Sequence, residues 1–205
     1  GAIKGDKVIV KTLPQGTPFT TLDNKVRTLL STDLMICNAG NGKAGGEEAM
    51  GIAGVFGGAE SGVKETTRSI FLESACFAPA YIRRSSMHHQ LKTDASFRFE
   101  RGTDPDITVY ALKRAALLIK ETAGGNISSD IIDIYPEKIL PRVIQVKDRN
   151  VNRLIGKTIA REEIHSILRR LDIGLVENTQ EGYKVSVPPY RVDVLQEADV
   201  VEEIL

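Results

Sequence analysis

The sequence predicts an α+β fold: a mixed sheet with flanking helices, followed by a small winged-helix-like helical module. Three observations predict it. Short alternating or apolar runs recur through the first half, separated by Gly- and Pro-rich turns. A polar segment with two prolines, YPEKILPR at residues 135–142, interrupts that pattern and reads as a linker. Beyond it, helical periodicity alternates with a short β-ribbon pattern. Residues 1–138 therefore form one expected module and residues 139–205 a second. Of 205 residues, 41% are apolar and 26% charged, as in a globular domain, and the formal net charge is zero. A strongly basic nucleic-acid binder is excluded on that balance, though a local patch is not. No apolar run is long enough to cross a bilayer and no signal peptide is present, so a cytoplasmic location is expected. Cys37 and Cys76 lie in apolar surroundings and are expected to be buried free thiols.

Taken in order, KVIVKTL at residues 7–13 alternates as a half-buried strand does. PQGTP is a turn, and FTTLDNKVRTLL is two strands around a turn at Asp23 and Asn24. LMICNA is a buried strand, and NGKAGGEEA is expected to be a mobile loop tip. GIAGVF and SIFLESACF read as two further strands. Pro79 suits the first turn of a helix running to His89. Asp104 and Pro105 are an N-cap and N1 pair for a helix with apolar residues Ile107, Ala111, Leu112, Ala115, Leu118 and Ile119, stopped by Gly124 and Gly125. DIIDIYP reads as a strand. In the second module RVIQV is a strand, Asp148 caps a helix closed by Gly156, and residues 161–171 form an amphipathic helix. GYKVSVP is a strand, and a final acidic helix turns Val200, Val201 and Ile204 toward a core. No C-cap residue follows it, an ending expected of a helix cut short.

Four stretches could carry chemistry. GIAGVFGGAESGV is Gly-rich but lacks both GxGxxG and a GK[ST] ending, so it is no phosphate loop. It is either a turn needing glycine or a place where a ligand lies against Gly57 and Gly58. RRSSMHHQLKTDASFRFERG is either a solvated basic face or a patch meeting phosphates; adjacent His88 and His89 point apart and make a poor metal pair. Glu73 interrupts the apolar run IFLESACF and faces either solvent or a ligand. Asp199, Glu202 and Glu203, at i, i+3 and i+4 with Asp193 upstream, are either a solvated face or oxygen ligands for a hard cation such as Mg²⁺. No nucleophile–base constellation and no GxSxG motif is present, so any hydrolysis would use a positioned water.

GVFGGAESGV, FLESACFAPAYIR, LKTDASFRFERGTDP and VPPYRVDVLQEADVVEEI together resemble the beta subunit of bacterial phenylalanyl-tRNA synthetase, across essentially the whole chain. The resemblance implies a slice of that subunit: most of its editing module, then a small module resembling a DNA-binding domain. It implies hydrolysis of tyrosine mischarged on tRNA(Phe), in an enzyme that ligates phenylalanine to that tRNA with ATP. By the same resemblance Gly57, Glu73, Thr93 and Ala95 line the editing pocket, with Glu73 accepting from the tyrosine hydroxyl. Asp94, Arg98 and Arg101 would shape its wall. Asp193, Asp199, Glu202 and Glu203 would hold a Mg²⁺ shared with the alpha subunit, in an assembly of two alpha and two beta subunits. ATP would bind outside this chain. A histidine-containing segment that lines the family's pocket precedes the point where this chain begins, so an incomplete, inactive pocket is expected of the chain alone. The rival expectation is a non-catalytic tRNA-binding or scaffolding module.

Overall fold

The computed structural model describes residues 3–4, 7–40 and 46–205. The chain divides into two compact units: residues up to Thr103 with Thr108–Ile127, and Asp104–Ile107 with Ser128–Leu205. The linker was expected at residues 135–142; the division falls at Ile127 and Ser128.

In the first unit the strands are β1 (Val8–Thr12), β2 (Pro18–Thr20), β3 (Val26–Thr28), β4 (Leu34–Asn38), β5 (Glu48–Ile52) and β6 (Phe56–Gly57). They form an antiparallel sheet in the order β1-β4-β5-β6 and a separate β2-β3 hairpin. The hairpin turn follows from Asp23 and Asn24: Asp23 Oδ1 accepts from Thr21 Oγ1 at 2.5 Å, while Asn24 adopts φ 60°. Met35 and Cys37 of β4 point into a core with Phe19, Leu29, Ile52, Val55, Phe77 and Ile82. GIAGVF is not one strand. The chain turns at Gly54, whose φ is +65°, where a Cβ would lie 2.8 Å from Phe77 and 3.0 Å from Ile82. Only glycine suits both that backbone and that proximity. Strand β5 starts at Glu48, inside the segment expected to be a loop tip; residues 41–45 of that segment lie outside the described residues.

Three helices follow. Helix α1 (Pro79–His89) begins on Pro79 as expected and ends at Gln90 in the left-handed region. Helix α2 (Asp94–Phe99) is capped by Thr93. Helix α3 (Thr108–Ala123) starts later than Asp104 and Pro105 predict, because Asp104 Oδ1 accepts from Asp106 N at 2.9 Å and holds a turn ahead of it. Its apolar face is present, yet none of its residues is buried. SIFLESACF and DIIDIYP are not strands: neither finds a ladder partner among the described residues. Ile132 and Ile134 of the second are 82% and 79% exposed. Alternation marks which side chains share a face; it does not supply the neighbouring backbone a strand needs. Cys37 is buried and Cys76 exposed, both as free thiols, which corrects the expectation for Cys76.

The second unit runs β7 (Arg142–Lys147), α4 (Asp148–Ile155), α5 (Arg161–Arg170), β8 (Gly174–Thr179), β9 (Gly182–Val187) and α6 (Glu197–Glu202). Its antiparallel sheet has the order β7-β9-β8. Tyr183, Val185 and Val187 of β9 pack with Val151 of α4, Ile164 and Leu168 of α5, and Val200 and Val201 of α6. Ile204 is buried with them, as the helical spacing predicts. Helix α6 ends at Glu202, ahead of the last residue. Asp148 makes no cap hydrogen bond; it is the first residue of α4 and accepts from Arg161 Nε at 3.0 Å. Among the described residues no helix is long and apolar enough to cross a membrane.

Candidate functional site

Thr93 organises the first unit's candidate site. Its Oγ1 accepts from Ser96 N at 3.1 Å, and Ser96 Oγ accepts from Thr93 N at 2.9 Å, a reciprocal cap that starts α2. The same Oγ1 donates to the Val55 carbonyl at 2.7 Å. That bond fastens the first turn of α2, which carries Asp94 and Ala95, to the short segment between Gly54 and strand β6. Gly57 belongs to that strand, opposite Gly51. A Cβ on Gly57 would come within 2.9 Å of Leu22 Cδ1, so its bare backbone accommodates Leu22. Thr93 and Gly57, far apart in sequence, are thus joined through Val55.

Ala95 is exposed on the outer side of α2. Glu73 lies on the segment before α1, an exposed residue with no hydrogen bond or ion pair among the described residues. Enough protein crowds its carboxyl that desolvation holds its pKa above the ordinary 4.5. It is therefore an acceptor without a partner, reachable from solvent. No hydrogen bond joins it to Thr93 or Gly57 among the described residues. Asp94 and Arg98 are exposed, and Arg101 lies with its guanidinium carbon 3.6 Å from the Phe97 ring centroid.

The C-terminal carboxylates are not gathered as metal ligands. Arg191 Nη2 lies 2.6 Å from Glu203 Oε1 and 3.2 Å from Asp193 Oδ2, and these two partners hold the guanidinium well above its ordinary pKa. The Asp193 carboxyl is lowered in return, chiefly by its hydrogen bond with Arg191. Asp199 Oδ2 accepts from Leu195 N at 2.8 Å and Gln196 N at 3.0 Å, which caps α6 and lowers its pKa. Glu202 is exposed on the same helix. Among the described residues no group of three His, Cys, Asp or Glu side chains could hold a metal ion. As folded, Asp193 and Glu203 face the Arg191 guanidinium, Asp199 faces two backbone amides and Glu202 is exposed, so a cation held by all four would have to displace Arg191.

One buried polar cluster escaped the sequence reading. Asp33 is fully buried; its Oδ1 accepts from Ser85 Oγ at 2.6 Å, and its Oδ2 pairs with His89 Nε2 at 2.7 Å and accepts from Leu30 N at 2.8 Å. Those hydrogen bonds outweigh burial and lower its pKa, although desolvation is the largest single influence. Serine, histidine and aspartate are all present, but the serine hydroxyl donates to the carboxylate and not to the imidazole. No nucleophile is activated; the cluster clamps α1 onto the turn before β4. The burial of Ser85, Ser86 and His89 on one side of α1 was legible only as a polar stripe where an apolar one is usual.

Comparison with known proteins bears on both units. The family model described as "B3/4 domain" matches residues 1–124, and the model described as "tRNA synthetase B5 domain" matches residues 144–205. The chain is 51% identical over 203 residues to a phenylalanine–tRNA ligase beta subunit of Bacteroides fragilis, covering 99% of this chain and 24% of that protein. The protein of the same name from Porphyromonas gingivalis is 47% identical over 203 residues, and that from Geobacter metallireducens 40% over 202, again with 24% of each covered. The chain thus spans about a quarter of the length of the curated relatives it matches. More than half of its residues falling under a single family model, the chain belongs to the B3/4 domain family, with a tRNA synthetase B5 domain following it.

Proposed function

We propose that this chain is the editing region, with the adjoining B5 module, of a phenylalanyl-tRNA synthetase beta subunit, and that it serves to hydrolyse tyrosine from mischarged tRNA(Phe). The observation that carries the proposal is the Thr93–Val55 hydrogen bond, which holds the α2 turn bearing Ala95 to the segment leading into Gly57. Ala95 on that turn is small and exposed, which leaves room for an aromatic ring and the terminal ribose beside it, while the space over Gly57 is taken by Leu22. Glu73, with its raised pKa and no partner among the described residues, is the acceptor for the tyrosine hydroxyl.

The chemistry follows from those roles. An apolar synthetic pocket rejects an added hydroxyl by only about a hundredfold. A second site with a waiting acceptor reverses the preference, because bound phenylalanine would shut water away from that acceptor and leave it unpaired, at a cost of about 1–3 kcal/mol. Water attacks the ester carbonyl, the bond to the ribose oxygen breaks, and that oxygen takes up the proton. No covalent intermediate on the chain is required.

The rest of the ligase reading is carried at the same level: ATP-dependent joining of phenylalanine to tRNA(Phe) in other parts of the enzyme, an alpha-subunit partner in a two-plus-two assembly, and a cytoplasmic setting. For Mg²⁺ the arrangement found here is unfavourable. A cation at Asp193 and Glu203 would have to displace Arg191, and no step of the proposed hydrolysis passes through it.

A second reading, a non-catalytic tRNA-binding or scaffolding module, is favoured by one observation: the Thr93 hydroxyl spends its one donor hydrogen on the Val55 carbonyl and accepts from Ser96 N, so it has no hydrogen to offer a substrate. The two separate on an assay of the assembled ligase with preformed Tyr-tRNA(Phe). Under the editing reading the wild type releases tyrosine, and Ala95→Phe, which fills the pocket from an exposed position, abolishes that release. Wild-type enzyme that releases no tyrosine, or an Ala95→Phe enzyme that releases it at the wild-type rate, would overturn the editing reading.

A further inference from the structure

We infer that the paired arginine–aromatic stacks on α1 and α2 form a platform for the unpaired 3′ nucleotides of an RNA acceptor strand. Just beyond α2 the Arg101 guanidinium carbon lies 3.6 Å from the ring centroid of Phe97 on that helix, and Arg101 Nη1 donates to the Phe97 carbonyl at 2.8 Å and to Glu100 Oε1 at 3.0 Å. On α1 the Arg84 guanidinium carbon lies 5.5 Å from the Tyr81 ring centroid. Arg83 Nη2 donates to the Glu100 carbonyl at 3.3 Å, so the two helices carrying these stacks are tied to each other. Phe97 and Tyr81 are 58% and 48% exposed, although aromatic rings of a packed domain are ordinarily covered.

The charge of this segment selects the occupant. Residues 79–101 hold five Lys or Arg side chains against two carboxylates, a surplus of three in a chain whose net charge is zero. Local positive charge attracts phosphates, and exposed rings beside guanidinium planes stack on bases that are not already stacked in a duplex. A single-stranded RNA end meets both requirements; an acidic peptide would use the charge and leave the rings exposed. The spacing agrees. Phe97 is one helical turn beyond Thr93, about 6 Å at the α-helical rise. That is about two nucleotide steps of a strand. This inference rests on the proposed editing reading: with the terminal nucleotide at the Thr93 turn, the preceding bases fall on Phe97 and then Tyr81.

The test uses the assembled ligase with tRNA(Phe). Phe97→p-benzoylphenylalanine is irradiated with the tRNA bound, and the cross-linked nucleotide is mapped. In parallel, Phe97→Ala, Tyr81→Ala and the stacking-competent Phe97→Trp are assayed for KM and kcat of Tyr-tRNA(Phe) hydrolysis. The expected cross-link is to the unpaired 3′ nucleotides. Each alanine variant is expected to raise KM about fivefold, the low end of one lost base stack. The change in kcat should stay within about twofold, as for loss of uniform binding, and Phe97→Trp should restore KM. A cross-link to the tRNA body or to protein alone, or an unchanged KM in Phe97→Ala, overturns the platform. A 3′ cross-link on an enzyme that hydrolyses no mischarged tRNA leaves the platform standing and removes the hydrolytic reading instead.

Discussion

Asp33→Ala is the perturbation whose cost the structure fixes most closely. Its carboxylate is the common acceptor for Ser85 Oγ, His89 Nε2 and Leu30 N, and both Ser85 and His89 are buried. Truncation leaves those donors without water or protein. A buried unpaired donor costs about 1–3 kcal/mol, so the sum for two or three is about 4 kcal/mol. Asp33→Asn keeps the shape and part of the hydrogen bonding, and should cost about 1–2 kcal/mol. Urea titration with hydrogen-exchange mass spectrometry reads the peptides of α1 separately from those of the second unit. With a urea slope of about 2 kcal/mol/M, the α1 midpoint should fall by about 2 M in Asp33→Ala. The second unit should be unmoved. The linkage sign is set by the lowered folded pKa: the Asp33 contribution is fully present above the unfolded value of 3.8 and is lost as pH falls through the still lower folded value. Wild type should therefore lose stability below pH 3.8 more steeply than Asp33→Asn. A midpoint shift under about 0.5 M, or equal shifts for Ala and Asn, would refute the clamp.

Other expectations concern positions of contrasting kinds. Gly54→Ala must take φ +65° with its methyl 2.8 Å from Phe77, and thermal melts of the first unit should show a loss of about 2–4 kcal/mol. Tyr183→Phe should be neutral or stabilising by up to about 1 kcal/mol in the second unit, because its hydroxyl is buried with no hydrogen-bond partner and burial holds its pKa far above the ordinary value. For Glu73 the folded pKa is raised, so burial opposes the charged form: Glu73→Gln should leave stability at neutral pH unchanged or slightly higher in urea unfolding. In the assembled ligase, the preference for tyrosyl over phenylalanyl ester should weaken as pH falls through that raised value, with a midpoint above the ordinary 4.5.

Local chemistry was legible in the sequence, and pairing was not. Pro79 and Gly156 set helix ends where they fall, and Asp23–Asn24 set a turn, because each acts through its own backbone. The helical spacing of Val200, Val201 and Ile204 correctly placed them in a core. The segments around Glu73 and Ile132 have strand-like alternation without strand partners, a fact held by the rest of the fold. Strand β8 was missed because its residues are mostly exposed and show no alternation. The Thr93 bond to the Val55 carbonyl depends on a turn that only Gly54 permits, and nothing near Thr93 in the sequence announces it. The terminal acids were read as one cluster from their spacing, whereas Arg191 takes two of them and the Leu195 and Gln196 amides ahead of α6 take a third.

The most direct measurement is the ratio of tyrosine to phenylalanine release from tRNA(Phe) by the assembled ligase, with and without Glu73→Ala. A marked preference for tyrosine is expected in the wild type, dropping by about ten- to a hundredfold in the variant through loss of the hydrogen-bond acceptor that the bound substrate would cover. An unaltered ratio in Glu73→Ala would contradict it, and would return Glu73 to the role of a solvated surface acid.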